Sequence, residues 1–186
     1  MNANTLELNR AVILDTETTG LDPSVDEILQ ISIIGGDGSV LINELCRPER
    51  ILEWPAAQAV NGIAPADVEG CKPLKAYAAE IQQVLDAADA IVGYNTNFDL
   101  GFLCTQKIAT AEHYKKAIDV MAEFAPIYGQ WDNYHEGFRF QKLTTAARYY
   151  GFDWSACGGA AHDSLADCRA TLWVLEHMKG RNTLPR

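Results

Sequence analysis

The sequence predicts an α/β fold: a mixed sheet, built from a three-strand antiparallel meander plus parallel strands and flanked by helices. Three observations carry that expectation. Strand-like runs separated by turn signals occupy Glu7 to Leu45, helical and strand-like stretches alternate from Pro73 to Met121, and helical periodicity follows. No internal repeat, low-complexity segment or interdomain linker interrupts the 186 residues, so one domain over 1–186 is expected, long enough to bury a core.

Each element has its own signal. The run "ELNRAVILD" (Glu7–Asp15) contains "AVIL", apolar on both faces as in a covered sheet. "EILQISIIG" (Glu27–Gly35) is the second strand, ending at the turn signal "GGDG", and "SVLINEL" (Ser39–Leu45) is the third. The Pro- and Ala-rich stretch 46–73 is expected to be loop with short helical pieces. Pro73 is expected to open an amphipathic helix, because Leu74, Tyr77, Ile81, Val84 and Leu85 recur at helical spacing. "AIVGY" (Ala90–Tyr94) is a short strand, "NFDLGFLCTQ" (Asn97–Gln106) a helix and "KAIDVM" (Lys116–Met121) a brief strand. Two helices close the chain. In "QKLTTAARYYG" Leu143, Ala146, Ala147 and Tyr150 share a stripe, and in "HDSLADCRATLWVLEHM" Leu165, Cys168, Leu172 and Leu175 do.

Composition narrows the class. With 48% hydrophobic and 22% charged residues the chain reads as an ordinary globular protein. No apolar run approaches the ~20 residues that span a membrane, and "MNANTLELNR" has no basic patch followed by an apolar stretch, so neither a membrane nor a signal peptide is expected. Five scattered cysteines without a CxxC pair argue against a disulfide framework or a zinc site and suit a reducing cytoplasm. The net charge of −10 argues against a tight nonspecific binder of nucleic acid. Residues 1–100 hold 16 acids against 5 basic residues, whereas 101–186 hold 9 against 10. An acidic protein that holds divalent cations also gains local positive charge, which leaves room for an enzyme gripping a short phosphodiester end.

The acids form a pattern. Asp15 and Glu17 are two apart at the end of a strand and project to the same face, with Thr16 turned away. Paired carboxylates repel unless something positive lies between them. Taken alone, Asp15 turns the chain before Gly20 and Glu17 is solvated beside it. Asp99 follows the strand at 90–94 and stands in a first helical turn, where an acid complements the helix dipole, with Asn95 or Asn97 as a cap. His162, Asp163 and Asp167 come at the start of the last helix. Asp163 and Asp167 share a helix face, and His162 is expected to project from the entering loop. Ligands in such sheets sit off the carboxyl ends of the strands, where two of these regions meet.

"DTETTG", "NTNFDLGFL" and "HDSLAD", in this order and at these separations, resemble the three motifs of the DEDDh exonuclease superfamily, above all the proofreading subunits of bacterial replicative polymerases and their stand-alone relatives. The likeness runs from about Val12 to Met178 and includes "RPERIL" followed by "NGI", "AIDV" and "KLTTAARYYG". It implies a ribonuclease-H-like fold and 3'→5' exonuclease activity. Position by position it implies Asp15, Glu17, Asp99 and Asp167 as ligands of two divalent ions, Mg²⁺ or Mn²⁺, with Asp15 bridging, and His162 as the general base. An imidazole, with an ordinary pKa of ~6.5, suits that task near neutral pH. Nucleoside 5'-monophosphates are the products implied. The partner implied is a nucleic acid 3' end, DNA before RNA, with a polymerase as a further possibility although "KGRNTLPR" offers no long docking tail.

Substrate-side residues follow from the same likeness. Thr18, Gly20 and Leu21 would flank the terminal nucleotide; Leu21 packs on a base or simply on its turn. Phe98 stacks on a nucleotide or fills the gap between helix and sheet, with Phe102 repeating its direction. Asn95 contacts the 3' end or caps its helix. Asn61 stands where many relatives carry a histidine that contacts the 3' nucleotide, and Gln30 where a glutamate is common, the latter with a structural role expected. Two other readings stay open: an RNA 3'-end exonuclease or oligoribonuclease, and a catalytically silent relative that binds nucleic acid ends or a polymerase. All four carboxylates and His162 are present, which weighs against the silent one.

Overall fold

Strands β1 (Ala11–Thr18), β2 (Ile28–Gly35) and β3 (Val40–Leu45) form the expected antiparallel meander. β4 (Ala90–Gly93) and β5 (Ala117–Asp119) join in parallel on the other side of β1, giving the order β3-β2-β1-β4-β5. These elements come from a computed structural model, which describes residues 6–157 and 160–181. β1 is the middle strand, and its apolar residues are buried on both faces as its sequence requires.

Alternation along β1 divides the core in two. Ile13 points to one face, where it meets Val120 and Phe124 of α6 (Val120–Tyr128), Ala146 of α7 (Leu143–Tyr149) and Cys168, Leu172 and Leu175 of α8 (Ser164–Arg181). Val12 and Leu14 point to the other, against Ile81 and Leu85 of α3 (Ala78–Ala87) and Leu100 and Leu103 of α4 (Thr96–Thr105). A third, smaller cluster covers the start of β2. There the pairing with β1 shifts between Glu17 and Thr18, and Leu29 is freed to pack with Trp54, Ile63 and Val68. Trp54 precedes α1 (Pro55–Asn61), and its indole N–H donates to the Ile63 carbonyl at 2.7 Å, folding α1 back toward α2 (Pro65–Val68). Gly62, at φ 74°, ends α1 in a conformation that favours glycine.

Several expectations change in detail. β1 starts at Ala11, after a 3₁₀ turn over Leu8–Arg10, and continues past Asp15 to Thr18. The helix expected from Pro73 begins at Ala78, because Leu74–Ala76 is a separate 3₁₀ turn. The last helix begins at Ser164, with His162 in the loop entering it as expected, and Asp163 accepts the Ala166 N–H at 3.0 Å and so caps it. The sequence reading did not anticipate α5 (Ala111–Lys115), α6 or the two-stranded hairpin β6 (Trp131–Asp132) with β7 (Gly137–Phe138). Among the described residues no helix is long and apolar enough to cross a membrane.

Candidate active site

Asp15 and Glu17 lie opposite Ser32 and Gln30 in the β1–β2 pairing and project from the same face. Strand geometry puts them there. Thr16, on the opposite face, is not merely turned away: its hydroxyl donates to Asp99 Oδ1 at 2.7 Å in a buried contact. The middle residue of the first motif therefore holds the acid of the second.

Asp99 stands in the first turn of α4 and is 2% exposed. The start of α4 is fixed by β5, where the Asp119 carboxylate accepts the Asn95 N–H at 2.9 Å while also capping α6 through Met121 N–H. Asn95 adopts φ 73° and its side chain makes no capping bond. Asp167 lies one turn into α8. Both of its oxygens accept the His162 N–H at 3.3 Å, which ties the loop before the helix to the acid within it. His162 is exposed, with φ 69°. The start of α8 is anchored to the sheet by Gln30, whose side chain accepts from Ser164 N–H at 3.2 Å and donates to Asp163 Oδ2 at 3.3 Å. Ser32 and Ser164 hydroxyls pair beside it at 2.7 Å.

Three sequence regions thus converge. One ligand atom each from Glu17, His162 and Asp167 lies within 4.8 Å of the others, an arrangement that can hold a divalent cation. Electrostatics extends the cluster to the remaining acids. Burial raises the Asp15 carboxyl well above the usual carboxylate range, and the charges of Asp99, Asp167 and Glu17 push it further. Glu17 is pushed up to about 8 by burial and by Asp167, partly offset by a hydrogen bond from the Asn61 side chain. Burial likewise raises Asp99 and Asp167. Among the described residues no Lys or Arg lines the cleft that holds these acids. A set of withdrawn carboxylates with no cation of their own, offering only oxygen and one imidazole, fits hard divalent ions.

The cleft has a volume of about 440 Å³ and is lined by all four carboxylates, His162, Thr18, Gly20, Leu21, Asn61 and Phe98. Asn95 does not line it. Leu21 is 84% exposed, so it stands at the mouth of the cleft and does not pack beneath its turn. Gly20 has no room for a side chain: a Cβ would come within 2.4 Å of the Asp26 carboxylate, which braces the loop through Thr19 Oγ1 and Asp22 N–H. Phe98 rests on Phe102, ring centroids 5.0 Å apart, and shows its remaining surface to the cleft. Asn61 donates to the Thr18 carbonyl at 3.3 Å and accepts from Ile63 N–H at 3.1 Å, joining the end of α1 to the end of β1. The sequence reading missed Ala56, Ala57 and Val60 of α1, and Tyr94 at the end of β4, which complete the walls. Ala56 and Val60 are four apart in "PAAQAVN", a spacing that marks one helix face, but four residues of alanine and valine give little signal among so many alanines.

The RNase_T exonuclease family profile matches residues 12–175. The chain belongs to the exonuclease family. The uncharacterized exonuclease CP81 of Escherichia phage 186 is 28% identical over 174 residues, which is 89% of this chain and 86% of that one. The PolC-type DNA polymerase III of Thermotoga maritima is 32% identical over 116 residues, 60% of this chain and 8% of that polymerase. Among solved structures, the zinc-bound complex of E. coli exonuclease I with single-stranded DNA aligns with TM-score 0.72 at 24% identity, over 92% of this chain. This chain spans only 40% of that exonuclease I chain, and the likeness is one of fold. The mixed sheet flanked by helices is the ribonuclease-H-like fold expected of a DEDDh exonuclease.

Proposed function

We propose that the protein is a metal-dependent 3'→5' exonuclease that shortens single-stranded or frayed DNA from a free 3' end and releases nucleoside 5'-monophosphates. The observation that carries this reading is the convergence of Asp15, Glu17, Asp99 and Asp167 with His162 in one cleft that has no Lys or Arg among the described residues lining it. DNA is favoured over RNA because two of the relatives named above are a PolC-type DNA polymerase III and an exonuclease I seen with single-stranded DNA.

The four carboxylates would hold two divalent ions, Mg²⁺ or Mn²⁺. When bound, such ions lower the pKa of water and stabilise both the attacking and the leaving oxygen of an in-line displacement at phosphorus. The protein supplies the rest. His162 stands at the edge of the cluster and takes the proton from the attacking water. The bonds from its N–H to Asp167 fix the backbone that carries the imidazole. Thr16 keeps Asp99 oriented through its hydroxyl bond to Oδ1. Thr18, Gly20 and Leu21 border the terminal nucleotide. Asn61 serves the 3' end in place of the histidine common in relatives, while holding Glu17. Phe98 and the α1 wall give the base an apolar surface.

The end requirement separates this reading from an endonuclease. Linear single-stranded DNA should yield mononucleotides in the presence of Mg²⁺, and a circle of the same sequence should survive. Cleavage of the circle at a comparable rate would contradict the assignment.

A further inference from the structure

The β6–β7 hairpin and the segment that follows it leave four large aromatic rings in solvent. Trp131 is 54% exposed, Tyr134 88%, Phe138 42% and Phe140 60%. Exposed rings gathered on one short hairpin and its exit mark an interaction surface. They are held in place. Trp131 and Phe138 are cross-strand partners with centroids 5.2 Å apart, and Tyr134 packs edge-on against His135 at 4.8 Å. The hairpin is braced from within, because Asp132 accepts from Tyr134 N–H, His135 Nδ1 and Arg139 Nη2.

Charge says what the surface meets. The hairpin itself carries Asp132, which Arg139 neutralises, and Glu136, but from Phe140 to Phe152 the chain carries Lys142 and Arg148, both exposed, and no acid, within a protein of net charge −10. Position says the same. Tyr94, which lines the cleft, donates its hydroxyl to the Gln141 carbonyl at 2.8 Å, so the segment leaving the hairpin is fastened to the cleft wall. Exposed rings interleaved with cations, continuous with a cleft for a 3' end, are the elements of a single-strand platform: bases stack on the rings and phosphates meet the cations.

We infer that the hairpin Trp131–Phe138, with Phe140 and Lys142, is a stacking platform for the single strand upstream of the nucleotides in the cleft. The inference rests on the exonuclease reading for what occupies the cleft. Such a platform contributes only when the strand is long enough to reach it, which gives the test. Binding of 5'-fluorescein-labelled oligothymidylates is followed by anisotropy in chelator, with strands of about four and about twenty nucleotides.

For Tyr134→Ala combined with Phe140→Ala, Kd for the long strand should rise roughly tenfold or more while Kd for the short strand stays as in the wild type, since each stacked base is worth ~1–3 kcal/mol by alanine substitution. Lys142→Glu with Arg148→Glu leaves every ring in place and should flatten the salt dependence of long-strand binding by about two phosphate contacts. Unchanged affinity and salt slope for the long strand would overturn the inference and assign the rings to a protein partner. Equal loss on both strands would overturn it too, placing the effect in the cleft. If the wild type binds the long strand through these residues but cleaves nothing with Mg²⁺ or Mn²⁺, the platform stands and the exonuclease reading fails.

Discussion

Asp15 is buried among three other carboxylates, and, in the absence of a cation, ionising it there opposes folding. Asp15→Asn should therefore abolish cleavage, because it removes a ligand, and should stabilise the chelator-treated protein. A gain of ~1 kcal/mol corresponds to ~2–4 °C in Tm for a chain of this size, which differential scanning calorimetry resolves. A lower Tm would mean that Asp15 is held by something other than repelling neighbours. Glu17 allows the sign of the pH dependence to be worked out. Its folded pKa, about 8, lies above the ordinary value of 4.5, so between these values the folded state binds more protons than the unfolded one. The stability this shift provides is present in full below about 4.5 and is lost as pH rises through about 8. Asp99 and Asp167 are raised in the same direction and add to the slope. Denaturant titrations of the metal-free protein should show stability falling across that window, and saturating Mg²⁺ should flatten the fall. At His162 the expectation differs: His162→Ala should slow cleavage by roughly 10²–10⁴-fold, the range for general-base catalysis, while leaving the stabilisation by Mg²⁺ intact. An effect on substrate affinity alone would remove the base from His162.

The elements matter because each one delivers its own part of the site. β1 presents Asp15 and Glu17, α4 presents Asp99, and α8 presents Asp167 with His162 just before it. Gln30, on β2, anchors one of these elements to the sheet, since its side chain satisfies the Ser164 N–H at the buried start of α8. Gln30→Leu leaves that N–H without its partner, which should cost ~1–3 kcal/mol in urea denaturation and lower the cleavage rate by loosening the His162 loop. Full stability in the variant would show that the helix start is held without Gln30. The sequence revealed β1 through β5 and α8 because their apolar patterns are strong and period-specific. It did not reveal α6, where Pro126 lies inside the helix and the strand-like "AIDV" runs straight into its first turn. The cap that divides strand from helix is Asp119, and a lone acid after an apolar pair is a weak signal. The hairpin Trp131–Phe138 was hidden for a related reason: two-residue strands carry no periodicity to detect.

Across the molecule, the motifs were legible because each places an acid at a structurally defined point: a same-face pair on a strand and first-turn positions on two helices. What binds the substrate was less legible. The wall of α1 and the rings of the hairpin are set by how separate segments come together, and no spacing along the chain encodes that. The acidity of the first hundred residues, which alone weighs against a polyanionic ligand, includes three of the four carboxylates that meet in the cleft. The central claim is that this cleft removes nucleotides from a 3' end with the help of divalent ions. Its most direct test follows matched 5'-labelled single-stranded DNA and RNA with the purified protein, in Mg²⁺, in Mn²⁺ and in chelator. The account predicts a ladder shortening from the 3' end only with metal, faster on DNA. A folded protein that shortens neither polymer with either ion would contradict it.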